Sequence, residues 1–322
     1  MQQLLSKNRK QPYKGFTGFA FKKLISMKNI LIAFLIVFFF WGCRKKECCV
    51  PENNYDYSSE IQNIVHNGIS REYLIYIPSS FSGDSVAPLV LNFHGFGGNI
   101  NDYLSYTSML SIAETEGFVL VFPQGSLMDG YSHWNPSLPS SDNKSTADDL
   151  GFIEALIQQL SNNYNIDSKR IYACGYSNGG MMSFGLANHK SNLFAAVASV
   201  SGAMLETDNT PNHPMPVLMI HGTSDGVIPY AGNNEYASVE STLTFWRNFN
   251  STDSISNSNS ITSGGNTIEY TSYSNGNNGV SVEHYKINQG GHEWFDLNYN
   301  ELNTSELIWE FFSKYDMDGL IE

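Results

Sequence analysis

The most regular feature of the chain is a succession of short apolar runs separated by amphipathic stretches. Residues 70–78 alternate, with Tyr73, Ile75 and Ile77 on one face, and predict a strand. Residues 87–94 and 118–122 are continuous apolar runs, the pattern of strands buried on both faces. Between them, residues 104–117 have a helical pattern, and a second helix is expected from Ser145 to about Tyr164. Residues 170–176, 195–202 and 215–220 read as three more buried strands, and a helix is expected over about 235–250. The polar stretch 250–260 predicts a surface loop without a core of its own. Residues 267–273 and 280–287 alternate as strands joined by the turn-rich segment 275–279, and a closing helix over 304–314 carries Trp309 and Phe312 on its apolar face. Strands alternating with helices place the chain in the α/β class, with a mostly parallel sheet and helices on both sides. Ligands of such sheets bind at the carboxyl ends of the strands, so the loops after Phe93, Phe122, Tyr176 and Ile220 should share one rim.

Residues 1–58 do not follow this pattern. Lys22, Lys23 and Lys28 precede an apolar run over 30–41, followed by Gly42-Cys43. About 12 apolar residues suit the core of an export signal better than a membrane span, which needs about 20. Met27 also begins a complete signal, so it is a second possible start. Gly-Cys after the run resembles a bacterial lipobox, with Cys43 lipidated, although bulky Phe40 and Trp41 depart from that pattern. The expected organisation is a signal over 1–43, a polar tether over 44–58 and one catalytic domain over 59–322, in an exported, cell-envelope or extracellular protein. The formal charge of −13 sharpens when the leader is set aside. It carries seven basic residues and no acid, which leaves eleven basic residues against 31 acids, a net −20. So acidic a chain is a poor partner for nucleic acid or anionic membrane surfaces, so membrane contact is expected only through the anchor. The four cysteines and eight histidines show no metal-ligand or disulfide spacing, and no metal or cofactor is expected. Oligomeric state is not legible.

The chemistry centres on Arg170-Ile-Tyr-Ala-Cys-Gly-Tyr-Ser177-Asn-Gly-Gly-Met-Met. It joins a predicted strand to a predicted helix through a Gly-x-Ser-x-Gly turn. A serine hydroxyl becomes a useful nucleophile when a tight elbow lifts it towards a base. The crowding this causes two residues before and after the serine requires glycine there. The same turn presents the N–H of Asn178 to a developing oxyanion at a helix N-terminus. The pattern arises readily by chance in a Gly-rich chain, so its partners must decide. Asp225 follows a buried strand in His221-Gly-Thr-Ser-Asp-Gly, where an aspartate can orient an imidazole. His292 stands in Gly290-Gly-His-Glu-Trp, a glycine-flanked loop after a late strand. Of the other histidines, His66, His133, His189 and His213 read as surface residues, His94 and His221 as braces of glycine loops, and His284 as a strand residue. Only His292 completes the order Ser177, Asp225, His292, which is that of α/β-hydrolases. Asp148 and Asp149 fit N-terminal capping, paired with Ser145 and Thr146.

Taken together, the motifs over about 70–296 resemble polyhydroxybutyrate depolymerase-type esterases, a family that also holds feruloyl and acetylxylan esterases. The matching stretches include Pro88-Leu-Val-Leu-Asn-Phe-His-Gly, Phe122-Pro-Gln-Gly, Ser132-His-Trp-Asn, Asp148-Asp-Leu-Gly-Phe and Gly175-Tyr-Ser-Asn-Gly-Gly-Met-Met, with the two loops of Asp225 and His292. The resemblance implies an α/β-hydrolase fold and a cofactor-free serine esterase with Ser177, Asp225 and His292 as nucleophile, acid and base. It also implies oxyanion N–H groups from Phe96 and Asn178, and Trp134 as a wall of the substrate pocket. Polymer-degrading members of that family commonly carry a binding module after the catalytic domain. The roughly 30 residues after His292 therefore favour soluble feruloyl or acetyl esters on plant polysaccharide fragments, with a polyester depolymerase as the alternative. A catalytically silent binding protein on the same scaffold is the competing class, since a fold does not determine a function.

Overall fold

The computed structural model describes residues 59–322 apart from 142, 144, 206–210, 255, 256 and 264. The predicted signal, tether and lipid site at Cys43 lie outside the described residues. In chain order the first half runs β1 (Ser59–His66), β2 (Ile69–Tyr76), β3 (Ala87–Phe93), α1 (Ile100–Tyr106), α2 (Met109–Glu116), β4 (Val119–Pro123), β5 (Ser126–Met128), β6 (Tyr131–His133) and α3 (Asp149–Asn163). The second half runs β7 (Ile166–Tyr176), α4 (Asn178–His189), β8 (Ala196–Val200), β9 (Val217–Gly222), α5 (Val239–Asn250), β10 (Asn257–Ser263), β11 (Asn266–Tyr273), β12 (Val282–Ile287) and α6 (Thr304–Phe312).

Ten strands form one sheet in the order β1-β2-β4-β3-β7-β8-β9-β12-β11-β10. The six from β4 to β12 are mutually parallel, and antiparallel strands extend both edges. The continuous apolar runs become intelligible here, because alternate residues serve two cores. On one face Leu89, Leu91, Ala173, Val197 and Val217 meet α3, α4 and α5 through Phe152, Met182 and Trp246. On the other, Val90, Tyr172, Ala198 and Leu218 meet α2 and α6 through Ile112, Trp309 and Phe312. Cys174 points into this second core, fully buried, and burial pushes its thiol pKa up, as suits a small apolar filler.

Four features depart from the expectations. The helix over 104–117 is two helices, α1 and α2, broken where Thr107 takes an extended conformation. The second still ends at Gly117, whose φ of +76° and N–H to Ala113 O stop the helix. Residues 257–263 are not a loop but the edge strand β10, paired with β11 so that Ile261 faces Ile268. Its pairing is main-chain work, so a polar sequence suffices. At the opposite edge, β1 joins β2 through Asn67 and Gly68 at φ +51° and +78°, a two-residue turn whose twist suits a hairpin. Finally, Ser145 and Thr146 do not pair with the acids in a capping box. Asp148 itself caps α3, accepting from Gly151 N at 3.0 Å, and Ser145 bonds back to Ala147 N. Asp149 is fully buried against Arg71 of β2, at 2.7 Å.

Candidate active site

The carboxyl ends of β3, β7, β9 and β12 form the rim where the motif residues meet. β7 enters the Gly-x-Ser-x-Gly turn and α4 leaves it. Ser177 sits between them at φ +55°, ψ −117°, a conformation that an L-residue adopts only when its surroundings impose it. Crowding does so: a Cβ on Gly179 would lie 2.0 Å from Phe93 O, and one on Gly175 would lie 2.5 Å from the Gly179 backbone. Ser177 N–H bonds Val200 O at 2.9 Å, tying the elbow to β8.

The loop after β9 carries Asp225 and that after β12 carries His292. A Cβ on Gly222 would meet Gly290 O at 2.3 Å, so glycine is what lets the two loops touch. His292 Nδ1 donates to Asp225 Oδ2 at 2.8 Å, and Ser177 Oγ donates to His292 Nε2 at 2.8 Å. The other oxygen of Asp225, Oδ1, accepts from the N–H groups of Val227 and Ile228, both at 2.8 Å. Burial pushes the Asp225 carboxyl up, but hydrogen bonds from His221, His292 and those two N–H groups outweigh it and hold the pKa at about 2. The acid is therefore ionised across the working pH range. Tyr176 OH donates to His292 O at 2.9 Å and fixes the histidine loop from below.

Asn178 is the first residue of α4, where the helix offers its N–H no partner four residues back. Gly97 N–H bonds Ser132 O and Gly98 N–H bonds Gly95 O, whereas Phe96 N–H has no bond among the described residues. Phe96, Ser177 and Asn178 all line one cavity of about 670 Å³, together with Trp134, Met181 and Tyr236. Trp134 contributes to that wall but is only 2% exposed, more deeply buried than a loop aromatic need be. Its Nε1 donates to His94 O at 3.0 Å, and its ring stands edge-on to Phe93.

The side chain of Asn178 has a use that sequence reasoning missed. Its Oδ1 accepts from Trp134 N at 2.7 Å and its Nδ2 donates to Trp134 O at 3.0 Å, in the manner of a strand partner. Asp149 completes the support by accepting from Asn135 N at 2.7 Å. Only the Asp148-Asp149 pair hinted at this in sequence. His94 and His221 brace their loops as expected. His94 Nδ1 donates to Gly95 O while Nε2 accepts from Gly125 N, and burial lowers its pKa to about 4. His133, expected at the surface, is buried: Nδ1 donates to Ser126 O and the ring joins the cavity wall. Strand pairing of β5 with β6 turns it inwards, which no local pattern announces.

Several known proteins are similar to this chain. A bifunctional acetylxylan esterase/xylanase of Neocallimastix patriciarum is 30% identical over 254 residues, 78% of this chain and 34% of its own length. Feruloyl esterase B of Piromyces equi is 28% identical over 262 residues, 77% of this chain and 46% of its own. The chain thus spans between a third and a half of these two relatives. Among solved structures, the acetyl xylan esterase of Aspergillus awamori superposes with a TM-score of 0.57 at 16% identity, covering 79% of this chain and 99% of that one. A ferulic acid esterase of Anaeromyces mucronatus does so at 0.53 and 14% identity, covering 82% and 92%. These superpositions establish the α/β-hydrolase fold. The family model for phospholipases and carboxylesterases matches residues 81–265, more than half of the chain, and the chain belongs to that family.

Proposed function

We propose that the protein is a serine esterase that cleaves carboxylic esters through an acyl-enzyme, with feruloyl or acetyl groups on plant polysaccharide fragments as substrates. The observation that carries this is His292 bridging Ser177 Oγ and Asp225 Oδ2 at 2.8 Å on each side. Ser177 Oγ attacks the ester carbonyl as His292 takes its proton. Asp225 holds the imidazole in the tautomer that accepts at Nε2 and stabilises the imidazolium that results. The N–H groups of Asn178 and Phe96 would receive the oxyanion, each such donor contributing about 3 kcal/mol in the transition state. The imidazolium protonates the departing alcohol, and water deprotonated by His292 then releases the acid. The names of the relatives above support the substrate class. The cavity beside Ser177, with Trp134, Met181, Ile228 and Tyr236 in its walls, has room for an aromatic acyl group and not merely acetyl.

Hydrolysis of p-nitrophenyl acetate, methyl ferulate and emulsified polyhydroxybutyrate by the purified chain tests this. Ser177→Ala should lose on the order of 10⁴-fold or more in kcat. Equal turnover by parent and variant would remove Ser177 from the mechanism, and cleavage of the polyester alone would transfer the assignment to a depolymerase. We further propose export and lipidation at Cys43, on the strength of the apolar run and the Gly-Cys that follows it. Metabolic labelling with an alkyne fatty acid should mark the parent and not Cys43→Ser; label on both would place any lipid elsewhere.

A further inference from the structure

The two groups assigned to the oxyanion, the N–H of Phe96 and that of Asn178, stand on segments distant in the chain, one after β3 and one at the start of α4. β3 and β7 are neighbours in the sheet, which brings these segments together. The loop beyond Phe93 must still be oriented by what it meets next. The Phe96 side chain is a poor anchor for it. Its ring is half exposed, borders both the large cavity and a second hollow of about 190 Å³, and stacks on Tyr131 at 5.7 Å. We propose that Trp134 is the positioning residue that sets the spacing of the two oxyanion donors, a strut between Asn178 and the Phe96 loop over and above its place in the cavity wall. The proposal rests on the esterase reading of Ser177 and adds to it what holds the oxyanion donors in place.

The first argument is an unbroken run of hydrogen bonds. On one side the Asn178 side chain grips the Trp134 main chain, Oδ1 accepting from Trp134 N at 2.7 Å and Nδ2 donating to Trp134 O at 3.0 Å. Asn178 is the first residue of α4, so the side chain that makes this grip and the N–H assigned to the oxyanion share one Cα. On the other side Trp134 Nε1 donates to His94 O at 3.0 Å, two residues before Phe96. Ser132 O, two residues before Trp134, accepts from Gly97 N at 2.7 Å, one residue after Phe96. The same short segment thus holds Phe96 from both flanks. Between those ties Gly95 O accepts from Gly98 N at 3.0 Å, closing a turn with Phe96 and Gly97 at its centre. Gly97 takes the φ of +73° that a glycine supplies at the third position of such a turn. The turn leaves the Phe96 N–H unspent.

The second argument is that the strut is itself held. Asn135 N donates to Asp149 Oδ2 at 2.7 Å and Asn135 Nδ2 to Ala147 O at 2.9 Å. A Cβ on Gly185 would lie 2.2 Å from Pro136 O, so α4 packs directly on the segment. At the far end, His94 Nε2 accepts from Gly125 N at 3.0 Å and Nδ1 donates to Gly95 O at 2.7 Å. A wall residue needs only its shape, and an indole N–H in a wall is free to face the cavity. Here the indole N–H is spent on His94 O inside the fold. The main-chain N–H and O of Trp134, just past the end of β6, are both spent on Asn178. Oxyanion donors act through preorganisation, and a misplacement of about 1 Å costs on the order of 10²-fold in rate.

Kinetics of the full chain on p-nitrophenyl acetate and methyl ferulate, with inhibition by trifluoroacetophenone, test the assignment. Ser177 Oγ adds to the carbonyl carbon of that ketone, its proton passes to His292, and the former carbonyl oxygen becomes an oxyanion facing the two N–H groups. Trp134→Phe loses the bond to His94 O and keeps an aromatic ring. Asn178→Ala loses both bonds to Trp134 and keeps its own N–H, so any loss of rate reports position and not a missing donor. In each variant, checked for folding by thermal melting, kcat should fall about 10- to 100-fold on both esters with KM within about twofold. The inhibition constant of the ketone should rise by the same factor. A Trp134→Phe enzyme that keeps its kcat, or that changes selectivity between the two esters through KM, overturns the strut and leaves Trp134 a wall of the pocket. A fall in kcat without a parallel loss of ketone affinity overturns it as well. No hydrolysis of either ester, with Ser177→Ala indistinguishable from the parent, overturns the esterase reading and the strut with it.

Discussion

At the scale of the residue, burial favours the neutral form of two structural imidazoles, while His292, which meets the serine, is partly exposed. His94 and His284 are both buried, and burial lowers each pKa to about 4. His284 donates from Nδ1 to Met219 O and meets Tyr230 OH through Nε2. An unfolded histidine titrates near 6.5, so between about pH 6.5 and 4 the unfolded chain binds two more protons than the folded one. Stability is therefore expected to fall as pH drops through that window, by on the order of 3 kcal/mol per histidine, and to flatten below it. Asp225 has the opposite charge type but the same sign. Its folded pKa of about 2 is below the unfolded value, so its contribution is present above about pH 4 and lost towards pH 2. Urea midpoints measured from pH 7 to 4 check the first window, and His284→Asn, which preserves a donor for Met219 O, should remove about half of the slope. A midpoint independent of pH would mean these rings are not held neutral by the fold.

At the scale of the element, the most consequential contact is between the start of α3 and the start of β2. Arg71 donates to Asp149 at 2.7 Å and to Gln124 O at 3.1 Å, and its guanidinium lies 4.0 Å over the Phe152 ring. Arg71→Ala leaves a fully buried carboxylate without its cation, and should cost about 3–5 kcal/mol in urea unfolding. A loss below about 1 kcal/mol would show that Asn135 N–H alone satisfies Asp149. The acids at 148 and 149 look like ordinary first-turn residues in sequence, and Asp148 is one. That Asp149 turns inwards depends on where β2 lies, which residues 145–152 do not encode. The β strands show the same division. Apolar runs such as 87–93 and 118–122 are legible because burial on two faces demands apolar side chains at every position. β10 was not legible, because its stability comes from main-chain bonds to β11, and those place no demand on side-chain polarity.

At the scale of the whole molecule, the site is assembled from loops far apart in the chain, so its geometry depends on both cores. α6 contributes no residue to the active-site cavities, yet Trp309 stacks on Phe118 at 4.3 Å and Phe312 on Tyr172 at 4.9 Å, beneath the strand that carries Ser177. Ile308, Trp309, Phe311 and Phe312 each contribute about 1.5–3 kcal/mol by burial, which together rivals the net stability of a typical domain. A chain ending at residue 303 should therefore fail to fold, as read by circular dichroism and loss of esterase activity, although every catalytic candidate is still present. A folded, active product would show that the second core is dispensable. The sequence by itself determined the fold class and the order of most elements, because side-chain periodicity and the crowding of a strand-to-helix elbow are local constraints. It also singled out Ser177, Asp225 and His292, since a strand end followed by a glycine loop is a local signal. Only the tertiary structure decided that these three meet at 2.8 Å, that Asn178 clasps Trp134, that His133 turns inwards, and that Phe96 stands between two hollows. Those are distances between segments up to about a hundred residues apart, and they follow from how strands stack in the sheet, which no local pattern specifies.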